Sequence, residues 1–163
     1  MQPLDRLLAL CLFLTLAACG TSDPGQRTDA GQRALNSGGF ELAFEEFSAA
    51  AAAFSPDDPR LLEARLGQCR AQAHLDPPAA KAAFLALSAA TNLEYRDFNL
   101  IVTDFKAAEA YAEAIEVLGA GMKAFPENTA LIALRDHMGK AAEASGDNKA
   151  LDSLKGLGYV GND

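Results

Sequence analysis

Tyr111-Ala112-Glu113-Ala114-Ile115-Glu116-Val117-Leu118-Gly119-Ala120-Gly121-Met122-Lys123-Ala124-Phe125-Pro126 is the stretch whose reading decides the fold. Its large apolar residues, Tyr111, Ile115, Leu118, Met122 and Phe125, recur at alternating steps of four and three, the spacing that brings side chains to one face of an α-helix. Ala114, one turn before Leu118, is small enough to let a second helix approach, and Pro126 past the last turn stops the helix. The stripe is too broad to be covered within one helical hairpin, so it requires neighbours stacked against it.

The same arrangement recurs along the chain. Ala43, Phe47 and Ala50 correspond in spacing to Ala80, Phe84 and Leu87, to Ala114, Leu118 and Gly121, and to Ala150, Leu154 and Leu157, in steps of about 34 to 37 residues. Two interleaved sets of turn signals divide the sequence. One comprises Gly38-Gly39, Asp76-Pro77-Pro78, the polar break at Lys106 to Glu109, and Gly146-Asp147-Asn148; the other comprises Pro56 to Pro59, Thr91-Asn92 and Pro126-Glu127-Asn128. The segments between them are rich in Ala, Leu, Glu and Lys, have helical length, and contain no alternating strand-like run. The expectation is an all-α chain of antiparallel helical hairpins.

On these residues the chain resembles a tetratricopeptide-repeat protein. Tyr111, Ala114, Leu118, Gly121 and Pro126 match that family's aromatic, small, bulky, small and proline positions; Gly39-Phe40 and Ala43 to Phe47 repeat most of the pattern, and Gly31 and Gly67 stand where the family places a small residue in the preceding helix. The second hairpin departs from it, with Asp76-Pro77-Pro78 in place of the usual glycine and aromatic turn. The resemblance implies a short right-handed superhelix of about three to four repeats spanning 29–163. The final stretch, Leu154-Lys155-Gly156-Leu157-Gly158-Tyr159-Val160, resembles an ending found on some bacterial helical-repeat proteins and sulfatases. From it we take only the expectation that Leu157, Tyr159 and Val160 fold back as a cap over the last hairpin.

Composition narrows the function. The 163 residues allow one domain, and 14 basic against 22 acidic side chains give a net charge of -8. Such a surface repels phosphodiesters and anionic headgroups, which argues against nucleic acid as a partner. Met1 to Ala18 has the layout of an export signal: a short polar start, an apolar run of about ten residues from Leu7 to Leu16, and the small pair Ala17-Ala18. That run is half the length of roughly 20 residues that a membrane-spanning helix needs. Leu16-Ala17-Ala18-Cys19 resembles the lipobox of bacterial lipoproteins, which implies cleavage of 1–18, a lipid on Cys19, and, with Gly20 next, an outer-membrane protein facing the periplasm. An ordinary signal peptide ending near a cysteine is the alternative. Residues 19–28 read as the lipidated cysteine and a flexible tether. Cys11 would leave with the leader, so Cys69, in an apolar segment with Leu66 and Ala73, would remain as a buried, inert thiol.

No catalytic constellation, metal set or cofactor motif is apparent in the sequence. His74 and His137 are single histidines without a second ligand at metal-binding spacing. Glu45-Glu46 and Asp57-Asp58 are adjacent carboxylates whose side chains point apart, or which sit in a turn. The resemblance therefore implies a non-enzymatic role through the concave face built by the first helix of each hairpin. Carrying the family's groove positions over gives Gln32, Asn36, Gln68, Gln72, Asn99, Thr103, Lys106 and Arg135, a lining able to hold a peptide backbone from a cell-envelope partner. A lipid-anchored adaptor is the first expectation, and a pilotin-like assembly factor for an outer-membrane secretion or pilus complex is the alternative.

Overall fold

A computed structural model describes residues 23–159. The leader, Cys11, Cys19, the start of the expected tether, and Val160 to Asp163 lie outside the described residues. Eight helices and no strand occur among those described: α1 (Pro24–Asn36), α2 (Phe40–Ala53), α3 (Arg60–Ala73), α4 (Pro77–Ala90), α5 (Tyr95–Ala107), α6 (Tyr111–Ala124), α7 (Thr129–Ser145) and α8 (Asn148–Gly156). Every turn signal read from the sequence falls at a junction of two helices, although Pro77-Pro78, Lys106 and Asn148 lie just inside a helix end.

The helix ends follow from local chemistry. Asp23, Asp76 and Asp147 each accept a hydrogen bond from a backbone N–H in the first turn of α1, α4 and α8, and Asn128 accepts two at the start of α7. Pro24 and Pro77 occupy first-turn positions, where the missing N–H has no helical partner to lose. α7 stops at Gly146, whose φ of 70° favours glycine. Asp23-Pro24 also corrects the expected boundary of the tether. The pair is a helix start, so α1 begins at Pro24 and the interval read as flexible up to Thr28 already contains more than a helical turn.

Each helix packs on the next in sequence except α4 on α5, and on the next but one except α2 on α4, so the hairpins form a stack. α1, α3, α5 and α7 make one layer. In the other, α4 packs on α6 and α6 on α8, whereas α2 and α4 share no packing of that extent. Arg70 on α3 reaches Asp104 on α5, 34 residues away, and Lys81 on α4 reaches Glu116 on α6, 35 residues away, so ion pairs cross the hairpin interfaces at the repeat period. Gln68 Nε2 donates to Ser48 Oγ at 3.0 Å, tying α3 to α2.

The core is segmented along the stack. Phe47, with Ala34, Leu35, Ala43 and Ala71, fills the seam between the first hairpin and α3. Its ring lies between Gly31 and Gly67: a Cβ on Gly31 would stand 3.0 Å from ring carbons, and one on Gly67 would clash with them. A larger cluster begins at Cys69 and runs through Phe84, Ile101, Phe105, Leu118, Leu131 and Met138 to Leu154. Within it Phe84 meets Phe98 edge-on with ring centres 5.2 Å apart, and Phe98 meets Phe125 at 6.0 Å. Beyond α8 the chain turns back. Leu157 packs at Gly119, and Tyr159 lies over Gly139, where no side chain could coexist with the ring. Tyr159 Oη donates to Glu143 at 3.0 Å, and Arg135 Nη1 donates to the Leu157 carbonyl at 3.4 Å.

Candidate functional site

The face formed by α1, α3 and α5 carries a cleft of about 410 Å³. Its apolar surface comes from Leu62 and Leu66 on α3 and Leu100 on α5, with Phe84 of α4 beneath, and its polar surface from Gln32, Glu63, Arg70, Glu94, Arg96 and Asp97. The lining shows the repeat directly. Leu62 and Arg96, Glu63 and Asp97, and Leu66 and Leu100 stand at the same 34-residue separation as the bonded pair Arg70 and Asp104. Leu100 is 45% exposed, on the opposite side of α5 from Phe98, Ile101, Val102 and Phe105, which face the core.

Of the amide and hydroxyl positions proposed from sequence, Gln32 is among the residues lining this cleft. Its Nε2 donates to Asn36 Oδ1 at 2.8 Å, one turn on. Gln68 lies on the other side of α3, bonded to Ser48 and bordering a smaller cavity of about 300 Å³ with Arg65, Cys69, Ala83 and Leu87. Gln72, Asn99 and Lys106 are half-buried, and the exposed Thr103 donates from its hydroxyl to the Asn99 carbonyl. Arg135 is held on Asp136 and the Leu157 carbonyl and so serves the terminal fold-back. Sequence reasoning missed Leu62, Leu66, Arg70 and Leu100; their own 34-residue spacing was the signal that could have found them.

The isolated candidates for chemistry have structural surroundings. His74 ends α3 with its ring stacked on Phe40, centres 3.7 Å apart, and its Nε2 lies 3.6 Å from Asp104, which also accepts from Arg70. His137 is exposed on α7. Asp58 accepts from Arg60, which holds its carboxyl below the usual range, and Glu46 pairs with Arg27 across α1 and α2. Among the described residues no three His, Cys, Asp or Glu side chains are grouped as a metal site would need, and no helix is long and apolar enough to cross a membrane.

Burial pushes the Cys69 thiol up to about 11 from an ordinary 9.0. A thiol harder to ionise in the fold adds stability below about pH 9, and that contribution is lost as pH rises through about 11. Iodoacetamide labelling near neutral pH, read on the Cys69-containing peptide, is therefore expected to be slow in the native protein and prompt in urea. The fall in stability between pH 9 and 11 should be shallower in a Cys69→Ala variant. Rapid native labelling would show an accessible thiolate instead.

No family model, no curated protein and no solved structure matches this chain.

Proposed function

We propose that the protein is a lipid-anchored adaptor with tetratricopeptide-like repeats, which holds a segment of a cell-envelope protein in the cleft between α1, α3 and α5. The observation that carries this reading is the cleft, large enough for two or three side chains, with the half-exposed Leu100 in its lining. A non-enzymatic role accords with histidines and carboxylates that stand singly or in ion pairs. Attachment through Cys19 on the outer membrane, facing the periplasm, rests on Leu16-Ala17-Ala18-Cys19-Gly20. With α1 starting at Pro24, Gly20, Thr21, Ser22 and Asp23 are the residues between that cysteine and the domain, so the cleft would work close to the lipid surface.

Cross-linked recovery of the full chain from membranes tests the adaptor reading. Leu100→Asp should lower the yield of its partner about tenfold or more, equivalent to about 1.4 kcal/mol of binding free energy. Ala52→Asp, an exposed change on α2, should leave the yield unchanged. Equal yields from both variants would remove the cleft from the function.

A further inference from the structure

We propose that the segment received by this cleft presents an aliphatic side chain flanked by lysine or arginine. The inference deepens the adaptor reading and rests on it.

The charge arrangement carries the argument. Two arginines line the cleft, but both are already engaged. Arg70 Nε lies 2.6 Å from Asp104, and Arg96 lies 2.7 Å from Glu94. Asp97 accepts from the backbone N–H of Glu94 at 2.8 Å, so a carboxylate of this chain already sits at the positive end of α5. Glu63 is exposed on α3 and has no ion-pair partner among the described residues. With each arginine balanced by its own carboxylate and Asp97 facing the positive end of α5, Glu63 leaves the rim with an uncompensated negative charge, and Asp97 adds to the negative potential beside it. An acidic segment would meet repulsion and find no unengaged cation there, whereas a basic one would find the Glu63 carboxylate at the rim.

The apolar part of the requirement comes from Leu62, Leu66 and Leu100. These side chains offer no hydrogen bond, and Leu100 gains from being covered. Lysine and arginine suit the same place twice over, since their methylene stems can lie along the leucines while the charged ends reach the rim. The protein's net charge of -8 adds long-range attraction for such a segment.

The test uses random linear peptides displayed on phage, panned against the full lipidated chain in nanodiscs, with Glu63→Lys and Leu100→Ser panned in parallel. Both positions are exposed, so neither change threatens the core. The wild-type protein should enrich peptides that place Leu, Ile, Met or Phe beside Lys or Arg. Leu100→Ser should abolish the enrichment, and Glu63→Lys should remove the basic preference. A synthetic copy of an enriched peptide with its basic residues changed to Glu should bind the wild-type chain about tenfold or more weakly by fluorescence anisotropy. Enriched peptides that need Leu100 but are neutral or acidic would overturn this inference and leave the adaptor reading standing. Enrichment indifferent to Leu100, or none at all, would overturn both.

Discussion

Phe47→Ala is expected to lower the free energy of unfolding by about 3–5 kcal/mol, measured by urea denaturation followed with far-UV circular dichroism. The ring is almost wholly buried, and its two faces rest on helices α1 and α3 at Gly31 and Gly67. Removing it opens a void that neither glycine can fill, so lost transfer energy and lost packing add. Gly67→Ala then gives a prediction whose sign depends on the background. With Phe47 present the new methyl must displace the ring, a cost of about 1–3 kcal/mol that outweighs a gain of about 1 kcal/mol from the better helix former. With Phe47 already alanine the steric cost disappears and the same substitution should be neutral or stabilising by up to about 1 kcal/mol. An equal cost in both backgrounds would mean that ring and glycine are not coupled, and that the first seam is held by something else.

The proposed lipid on Cys19 predicts that Cys19→Ser moves the protein from the membrane fraction to the soluble fraction. Its acidic surface gains nothing from anionic headgroups, and none of its described helices is long and apolar enough to cross a membrane. Acyl chains contribute about 0.8 kcal/mol per buried methylene, and stable anchoring takes more than one chain. Losing the proposed thioether would remove that sum, so fractionation should show a near-complete change. Retention of the variant in membranes after a high-salt wash would defeat the proposal of a lipid anchor and, with it, the placement of the cleft near the lipid surface.

Helix existence and order were legible because each connection carries its own chemistry. Asp76-Pro77, Asn128 and Gly146 act within one turn of themselves, so a linear reading finds them. Phe47, Phe84, Leu118 and Leu154 were legible for a similar reason, since one spacing repeated four times marks a face. The start of α1 was lost to composition: Gly25 and Gln26 look like linker, although Asp23 and Pro24 before them supply the cap. The cleft was harder. A groove position depends on how one helix is rotated against another, and a shift of one residue turns a side chain by about 100°. After α3 the glycine and aromatic turn of the tetratricopeptide pattern is absent from the following loop, leaving little to fix the rotation. Reading Gln68 and Gln72 as lining places the groove on the flank that holds Ser48, whereas Leu62, Leu66 and Arg70 face α5. Leucines at helical spacing also read as core, and no local feature of Leu100 reveals that it remains nearly half exposed.

The sparse packing between the second and third hairpins has a mechanical meaning. The first hairpin is clamped on α3 by both of its helices, α2 most extensively, whereas α4 shares no comparable packing with α5, and the second and third hairpins meet through α3 on α5 and α4 on α6. Two ion pairs, Arg70 with Asp104 and Lys81 with Glu116, rivet this junction, one in each layer. Leu62 and Leu66 stand on one side of it and Leu100 on the other, so the cleft spans the most lightly packed seam of the stack, and a small tilt there changes the width of its mouth.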